Sequence, residues 1–267
     1  PCVRRERLPC GAAAMWRRRF PGLMCLRAVS ACASAQWQIS YVASVPVITV
    51  DGPSGVGKGT ISHMLADCLG WHLLDSGALY RVTGQACVIE GVSWDDDPAV
   101  ADVARHLDVA FSLAANGEML VAYKGVDVSA AIRTEEGGRG ASTVAAIPAV
   151  REALFARQRD FLQPPGLVAD GRDMGTVVFP DAPLKFFLTA SAAERAERRY
   201  KQLLEKGESV SLPRLLADIQ ERDERDSSRS VSPLVPAEDA IVIDSSATPI
   251  SDVFARVMLE MKKKGFI

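Results

Sequence analysis

Short apolar runs recur along the chain and alternate with segments of helical spacing. The first run, Val45 to Val50, is followed after a loop by apolar residues at Ile61, Leu65 and Leu69, the spacing of one helix face. Further runs with the length of buried strands are Trp71 to Asp75, Leu167 to Asp170, Leu184 to Leu188 and Ala240 to Asp244. Strands that alternate with helices predict a doubly wound α/β fold with a five-stranded parallel sheet.

A different periodicity marks the segment from Leu107 to Ser129. Its apolar residues alternate with polar ones, which is typical of half-buried strands, and Asn116-Gly117 and Lys124-Gly125 supply two turn signals. The segment predicts a small antiparallel subdomain inserted into the α/β core, and we expect the whole insertion to span about residues 77–165. An insertion of this kind acts as a moving flap or holds a substrate; a packing decoration is the alternative.

The composition excludes several classes of protein. With 48% hydrophobic and 24% charged residues among 267, the chain is an ordinary globular protein. The formal net charge of -2 gives no general attraction to nucleic acid, and no apolar run approaches the length of a membrane span. The six cysteines form no C-x-x-C pair, which favours a reducing compartment over a zinc site. We expect a cytoplasmic monomer without nucleic-acid or membrane partners.

Residues 1–44 differ from the rest of the chain. Seven arginines against a single acid, Glu6, give this segment a charge of +6, whereas the remainder carries -8. An organellar targeting peptide or a basic tail that contacts membrane or nucleic acid would have this composition. We favour a third interpretation, translated sequence upstream of the true start with no fold of its own, because the strand at Val45 begins a complete domain. The functional domain is predicted to span residues 45–267.

The strongest chemical signal lies between the first strand and the first helix. Gly52, Gly57 and Lys58 have the G-x-x-x-x-G-K spacing of a phosphate-binding loop, whose glycines let backbone N–H groups surround an oxyanion. The helix N-terminus adds partial positive charge and Lys58 adds a full one. Because Gly59 follows Lys58, the hydroxyl usually expected on Mg²⁺ comes one place later, at Thr60. The predicted nucleotide-phosphate site comprises Gly52, Pro53, Ser54, Gly55, Val56, Gly57, Lys58, Gly59 and Thr60.

Polar residues suited to a second substrate follow the second strand. Ser76, Tyr80 and Arg81 lie beyond its carboxyl end, where ligands bind in sheets of this kind. Between the last two strands the chain becomes densely charged, and a solvated helix surface is the usual explanation. Downstream of a phosphate loop, however, the recurring arginines also fit a hinged lid that closes over phosphates, at about residues 200–230. These arginines are Arg195, Arg198, Arg199, Arg222, Arg225 and Arg229.

A phosphate loop alone leaves GTPases, ATP-driven motors and small-molecule kinases open. The chain contains no N-K-x-D element to read guanine, and it has no accessory region of the kind a motor needs. A compact kinase with two phosphate-bearing substrates therefore fits best, because it would explain so many arginines outside the loop. A non-enzymatic switch, in which ATP binding moves the lid toward a partner, is the alternative from another class.

Four separated blocks resemble the bacterial cytidylate kinases, a family of P-loop nucleoside monophosphate kinases. The blocks are GPSGVGKGT (52–60), LLDSGALYR (73–81), ADGRDMGTVVFPDAP (169–183) and ERDERDSSRSVSPLVPA (221–237). The resemblance covers residues 45–267 and none of the first 44. It implies transfer of the γ-phosphoryl group of ATP to CMP or dCMP, with Mg²⁺ as cofactor. Another monophosphate, UMP, AMP or dTMP, is the alternative acceptor.

The resemblance also implies a role for individual residues. Lys58 would hold the β and γ phosphates of ATP, and Asp170 and Thr60 would hold Mg²⁺ through water. Arg195, Arg199 and Arg222 would neutralise charge on the moving phosphoryl group. Arg81 and Arg172 would grip the phosphate of CMP. The positions that match the family's base-reading residues are Ser142, Arg151, Asp173 and Arg229, and Asp226 matches the position that hydrogen-bonds the ribose.

Overall fold

The computed structural model describes residues 45–113, 119–205 and 207–267, which contain a mixed α/β fold. The strands in these ranges are β1 (Val47–Asp51), β2 (His72–Asp75), β3 (Val109–Leu113), β4 (Met119–Tyr123), β5 (Val126–Asp127), β6 (Leu167–Gly171), β7 (Leu184–Thr189) and β8 (Ile241–Asp244). The helices are α1 (Lys58–Leu69), α2 (Ser76–Glu90), α3 (Asp97–Arg105), α4 (Glu135–Val144), α5 (Pro148–Arg159), α6 (Ala192–Glu205), α7 (Leu212–Ser228) and α8 (Ile250–Lys263). A 3₁₀ turn (Ala131–Arg133) precedes α4, and a π-helical turn (Met174–Val178) follows β6.

The main sheet is parallel and has β1 at its centre. Its strand order is β2, β6, β1, β7, β8, which confirms the predicted doubly wound, five-stranded architecture. The register sets Asp170 of β6 beside both Val50 of β1 and Asp75 of β2. Because the carboxyl ends of parallel strands share one edge of a sheet, the segments that follow β1, β2 and β6 converge there.

Alternation along β1 divides the core into two layers. Every residue of this strand is buried, as expected of a parallel strand covered on both faces. Ile48 and Val50 pack in one apolar cluster with residues of α1 and α8. Val47 packs in the other cluster, with residues of α2, α5 and the π-helical turn. Thr49 and Asp51 occupy the same strand face as Val47, since side chains two apart point the same way.

The predicted antiparallel subdomain is confirmed. Strands β3, β4 and β5 form a separate three-stranded sheet between α3 and the 3₁₀ turn. Lys124 (φ 47°) and Gly125 (φ 78°) connect β4 to β5 with two left-handed residues, which is the backbone of a tight hairpin turn. The other predicted turn, Asn116-Gly117, lies outside the described residues.

Helices α6 and α7 pack against each other as a helical hairpin. Their contact has a small apolar cluster of its own, built around Ala196, Leu203 and Leu215, apart from the two clusters of the sheet. No helix in the described ranges is both long and apolar enough to cross a membrane. Residues 1–44 lie outside those ranges, so the expectation that they have no fold of their own stays a prediction.

Candidate active site

The loop between β1 and α1 has a backbone that only glycine can follow at its key points. Gly52, Gly55 and Gly57 have φ angles of 142°, 78° and 93°. A Cβ on Gly52 would lie 2.1 Å from the carbonyl oxygen of Leu188 in β7, so no residue with a side chain fits between the loop and this strand. Val56 is buried in the core and anchors the loop. Helix α1 then begins at Lys58 without a side-chain cap, which leaves its first N–H groups available to an anion.

Lys58 lies under this loop. Its ammonium donates to the carbonyl of Pro53 at 2.8 Å, and the residue is only 7% exposed. Burial, reinforced by the positive charge of Arg172, lowers the pKa of Lys58 to about 7, although Asp170 acts in the opposite direction. A polyphosphate placed in the loop would supply the negative charge that this buried ammonium lacks.

Acidic residues line the shared edge of the sheet above Lys58. Asp75 caps α2 by accepting the N–H of Ala78 at 3.0 Å. Asp170 lies against the phosphate loop, since a Cβ on Gly59 would be 3.6 Å from its Oδ2 atom. Burial raises the pKa of Asp170 to about 7, opposed by Lys58. A dication at this point would favour the ionised carboxylate.

Asp226 of α7 connects three parts of the site. Its carboxylate accepts from Nε of Arg172 at 3.1 Å and from the hydroxyl of Ser142 in α4 at 3.4 Å, and it lies 3.9 Å from Nε of Arg222. Burial alone would raise the pKa of Asp226, but Arg172, Arg222 and Arg229 outweigh it and hold this pKa below its ordinary value. The α6–α7 hairpin is therefore bonded both to the segment after β6 and to the inserted helices.

The arginines of the site repel one another. Gly138 of α4 has no side chain, and a Cβ there would be 3.5 Å from guanidinium nitrogens of both Arg81 and Arg222. Burial and the nearby charge of Arg172 lower the pKa of Arg222 to about 9. Burial also lowers the pKa of Arg81, whose Nη1 donates to the carbonyl of Ile132 at 2.8 Å. Cationic groups packed this closely favour a polyanionic ligand between them.

A buried ion pair closes the far end of the site. Arg151 of α5 donates to the carboxylate of Asp173, and its Nη1 donates to the carbonyl of Ala145 at 3.3 Å. The guanidinium lies 5.5 Å from the ring centroid of Tyr80. The side chain of Arg229 is buried nearby: its Nε donates to the carbonyl of Asp226 at 3.1 Å, and the charges of Arg151 and Asp173 act on its guanidinium. A carboxylate and two guanidinium groups are thus held together in a buried pocket.

These side chains border one cavity of about 210 Å³. The predicted site residues that line it are Ser54, Gly55, Lys58, Ser76, Tyr80, Arg81, Ser142, Arg151, Asp170, Arg172, Asp173, Arg222, Asp226 and Arg229. Gly52, Pro53, Val56, Gly57, Gly59 and Thr60 belong to the loop and the start of α1 but do not line this cavity. Thr60 is exposed.

Arg195 and Arg199 border a neighbouring cavity of about 450 Å³, and each is engaged with protein atoms. Arg195 forms an ion pair with Asp223 of α7 and donates to the carbonyls of Ser54 and Ala190, both at 3.1 Å. Arg199 donates through Nε to Glu135 of α4 at 2.6 Å. Contact of these two arginines with ATP stays a prediction, and Arg199 would have to exchange Glu135 for phosphate.

Sequence reasoning missed three acids that organise the site: Asp51, Asp75 and Asp223. Asp51 carried a usable signal, because it is an acid at the end of an otherwise apolar strand. Asp75 also carried one, as a strand-terminal Asp three residues before an N–H that it caps. Asp223 carried none, since its pairing with Arg195 spans 28 residues between two helices.

A phosphate loop after a buried parallel strand, opposed across one cavity by convergent arginines, defines a P-loop kinase. A family model described as Cytidylate kinase matches residues 48–263. The chain belongs to the cytidylate kinase family.

Curated relatives named as cytidylate kinases align with this chain along almost the whole of their own length. A cytidylate kinase of Shewanella amazonensis is 56% identical over 220 residues, which are 82% of this chain and 95% of the relative. A cytidylate kinase of Colwellia psychrerythraea is 57% identical over 216 residues, 81% of this chain and 96% of the relative. A cytidylate kinase of Stutzerimonas stutzeri is 57% identical over 218 residues, 81% of this chain and 95% of the relative.

Proposed function

We propose that this kinase transfers the γ-phosphoryl group of ATP to CMP or dCMP and releases ADP and the pyrimidine diphosphate. One observation carries the proposal: Lys58 of the phosphate loop and the arginines Arg81, Arg172 and Arg222 border the same cavity. Phosphoryl transfer needs aligned substrates and neutralised charge more than a covalent catalyst, so a cavity with this lining suits it.

The donor side would be the phosphate loop. Backbone N–H groups of Gly52 to Thr60 would surround the β and γ phosphates, and Lys58 would leave the carbonyl of Pro53 to contact them. Arg222 would approach the moving phosphoryl group from α7. Its lowered pKa reflects burial among other arginines, and negative charge between these groups would relieve their repulsion.

The acceptor side would lie between α2, α4 and the segment after β6. Arg81 and Arg172 would hold the phosphate of CMP, each with a planar fork of donors. Asp226 would accept from the ribose, since a carboxylate has lone pairs beyond those used by Ser142 and Arg172. Ser76 and Tyr80 border the same space.

The paired groups at the far end would select cytosine. Cytosine presents an amino donor at N4 and acceptors at N3 and O2, whereas uracil presents an acceptor at O4 and a donor at N3. A carboxylate from Asp173 with donors from Arg151 and Arg229 matches cytosine and opposes uracil, and the Ser142 hydroxyl would turn from Asp226 to donate to the base. A buried site of this kind can discriminate by orders of magnitude.

The residues near the loop fit a magnesium ion. The carboxylate of Asp170 lies against the loop, and Thr60 adds a hydroxyl in the first turn of α1. No group of three or more metal-ligating side chains is found in the described ranges, so the protein would supply few ligands and the phosphates and water the rest. When bound, Mg²⁺ would neutralise and orient the ATP phosphates.

An assay of ADP release with each nucleoside monophosphate tests the proposal. Purified protein with ATP and Mg²⁺ should release ADP fastest with CMP or dCMP and far more slowly with UMP, AMP or dTMP. EDTA should abolish turnover. ADP release that does not depend on any monophosphate would indicate a switch, and a preference for another monophosphate would reassign the acceptor.

The α6–α7 hairpin would act as a lid that closes only over both substrates. Its bond to α4 through Arg225 with Ser142 crosses the cleft and would re-form on closure, whereas Arg199 would leave Glu135 for phosphate. Water would then reach the γ-phosphate poorly, and we expect ATP hydrolysis without CMP to be less than about 1% of the kinase rate. A coupled assay of phosphate release measures this hydrolysis. A rate near the kinase rate would contradict closure of the lid only over both substrates.

We also propose that the protein acts as a cytoplasmic monomer. This one chain supplies the phosphate loop, the arginines and the base-reading pair, so the proposed reaction requires no residue of a second copy. Cys68 and Cys87 are free thiols, which suits a reducing compartment. Light scattering coupled to size-exclusion chromatography should give a mass near 28.7 kDa.

A further inference from the structure

Asp51 is a buried acid whose carboxylate binds two consecutive backbone N–H groups. One oxygen accepts from Met174 at 2.9 Å and the other from Gly175 at 2.8 Å. The residue is 4% exposed, and the positive charge of Lys58 acts on its carboxylate. Burial raises the pKa of Asp51 to about 7, although the two backbone hydrogen bonds oppose this rise.

A buried carboxylate at the end of a buried strand lowers the stability of the fold. A valine would cover the same face without the cost of burying an ionisable group. Two neighbouring N–H donors that point into the same small space, however, require a group that only accepts hydrogen bonds. Ionised aspartate meets this requirement with one oxygen for each donor.

The two N–H groups begin the π-helical turn that directly follows Asp173. The carbonyl of Asp173 accepts from Val177 at 2.9 Å and from Val178 at 3.2 Å, so this turn and Asp173 form one unit. The turn is pressed onto β1, because a Cβ on Gly175 would lie 2.8 Å from Oγ1 of Thr49. Asp51 itself is followed directly by Gly52, the first residue of the phosphate loop.

We infer that Asp51 is a positioning residue that fixes Asp173, and through it Arg151, at a set distance from the phosphate loop. The inference rests on the proposed function, in which Asp173 and Arg151 read the base. The parallel register of β1 and β6 aligns the two strands only as far as Asp51 and Gly171. Beyond that point the Asp51 carboxylate holds the backbone that carries Asp173.

Asp51→Asn tests this role, because it keeps the shape of the side chain and changes one acceptor into a donor. One of the two N–H groups would then face an amide NH₂, and the turn would move away from β1. We expect KM for CMP to rise about tenfold and the preference for CMP over UMP to fall by a similar factor, as the loss of one buried hydrogen bond implies. KM for ATP should change less than about twofold.

Thr49→Val is the matched control. Thr49 lies on the same strand face, and its hydroxyl is buried without a hydrogen-bond partner in the described ranges, so removing that hydroxyl should leave both KM values unchanged. If Asp51→Asn does not fold, Gly175→Ala should push the same turn off β1, because the added Cβ would lie 2.8 Å from Oγ1 of Thr49 and 3.3 Å from Oδ2 of Asp51, and it should give the same selective rise in KM for CMP.

The outcomes separate the inference from the function on which it rests. A parent protein that makes no CDP refutes the proposed function. A parent that makes CDP, with a folded Asp51→Asn variant whose KM for CMP and selectivity are unchanged, refutes the inference alone. Equal rises in both KM values also refute it, because they would assign Asp51 to the phosphate loop as a whole.

Discussion

Lys58→Met is expected to lower the rate of CDP formation by about 10³-fold or more, the scale on which a preorganised charge aimed at the moving phosphoryl group contributes. Methionine keeps most of the volume of the lysine stem and removes its ammonium. Because this charge would be aimed at the transition state, kcat should fall more than KM for ATP rises. Steady-state kinetics of the variant measure both.

The same substitution should leave the folded state at least as stable as the parent. Burial lowers the pKa of Lys58 to about 7 from an ordinary value of 10.5, so the unfolded chain binds this proton more tightly. The penalty is fully present at pH 7 and below and declines as pH rises toward 10.5. Removing the ammonium should therefore raise Tm most at and below pH 7.

Lys262→Met is the control, because Lys262 is exposed on α8 and does not border the cavity. It should leave both kcat and Tm unchanged. If kcat of Lys58→Met is close to that of the parent, Lys58 does not act in phosphoryl transfer. If Tm falls by a large amount, the ammonium stabilises the fold.

The sheet and the phosphate loop could be predicted because their signals are local. A run such as Leu184 to Leu188 is apolar throughout, and burial on both faces of a parallel sheet is what such a run requires. The glycine positions of the loop follow from backbone geometry alone, as the 2.1 Å approach at Gly52 illustrates. Each of these features is determined by about a dozen residues that are neighbours in the sequence.

The hydrogen-bond network of the site could not be predicted in the same way. Arg172 and Asp226 are 54 residues apart, and Ser142 and Asp226 are 84 apart. Their meeting depends on how the α6–α7 hairpin is placed over the sheet. The charge run around Arg195 showed that arginines were present but could not tell which face ligand and which face protein. Arg195 is bonded to Asp223 and to Ser54, a pairing that helical periodicity does not encode.

Asp173→Asn is expected to lower kcat/KM for CMP by about 10²-fold or more. The buried ion pair explains why asparagine, and not alanine, is the informative substitution. Alanine would leave the Arg151 guanidinium buried without its carboxylate, at a cost of about 3–5 kcal/mol in the free energy of unfolding. The amide oxygen of asparagine can still accept from Arg151, so the fold should survive.

The Arg151 guanidinium should also fix the orientation of the amide that Asp173→Asn introduces. A guanidinium donates, so it will hold the amide oxygen, and the amide NH₂ will face the base. That donor opposes the amino group of cytosine and matches O4 of uracil, so kcat/KM for UMP should fall much less than that for CMP. Asp181→Asn makes the same chemical change at an exposed acid further along the same segment and should alter neither value. If the CMP to UMP ratio is the same for Asp173→Asn and parent, Asp173 does not read the base, because a reading carboxylate cannot lose its charge without changing that ratio.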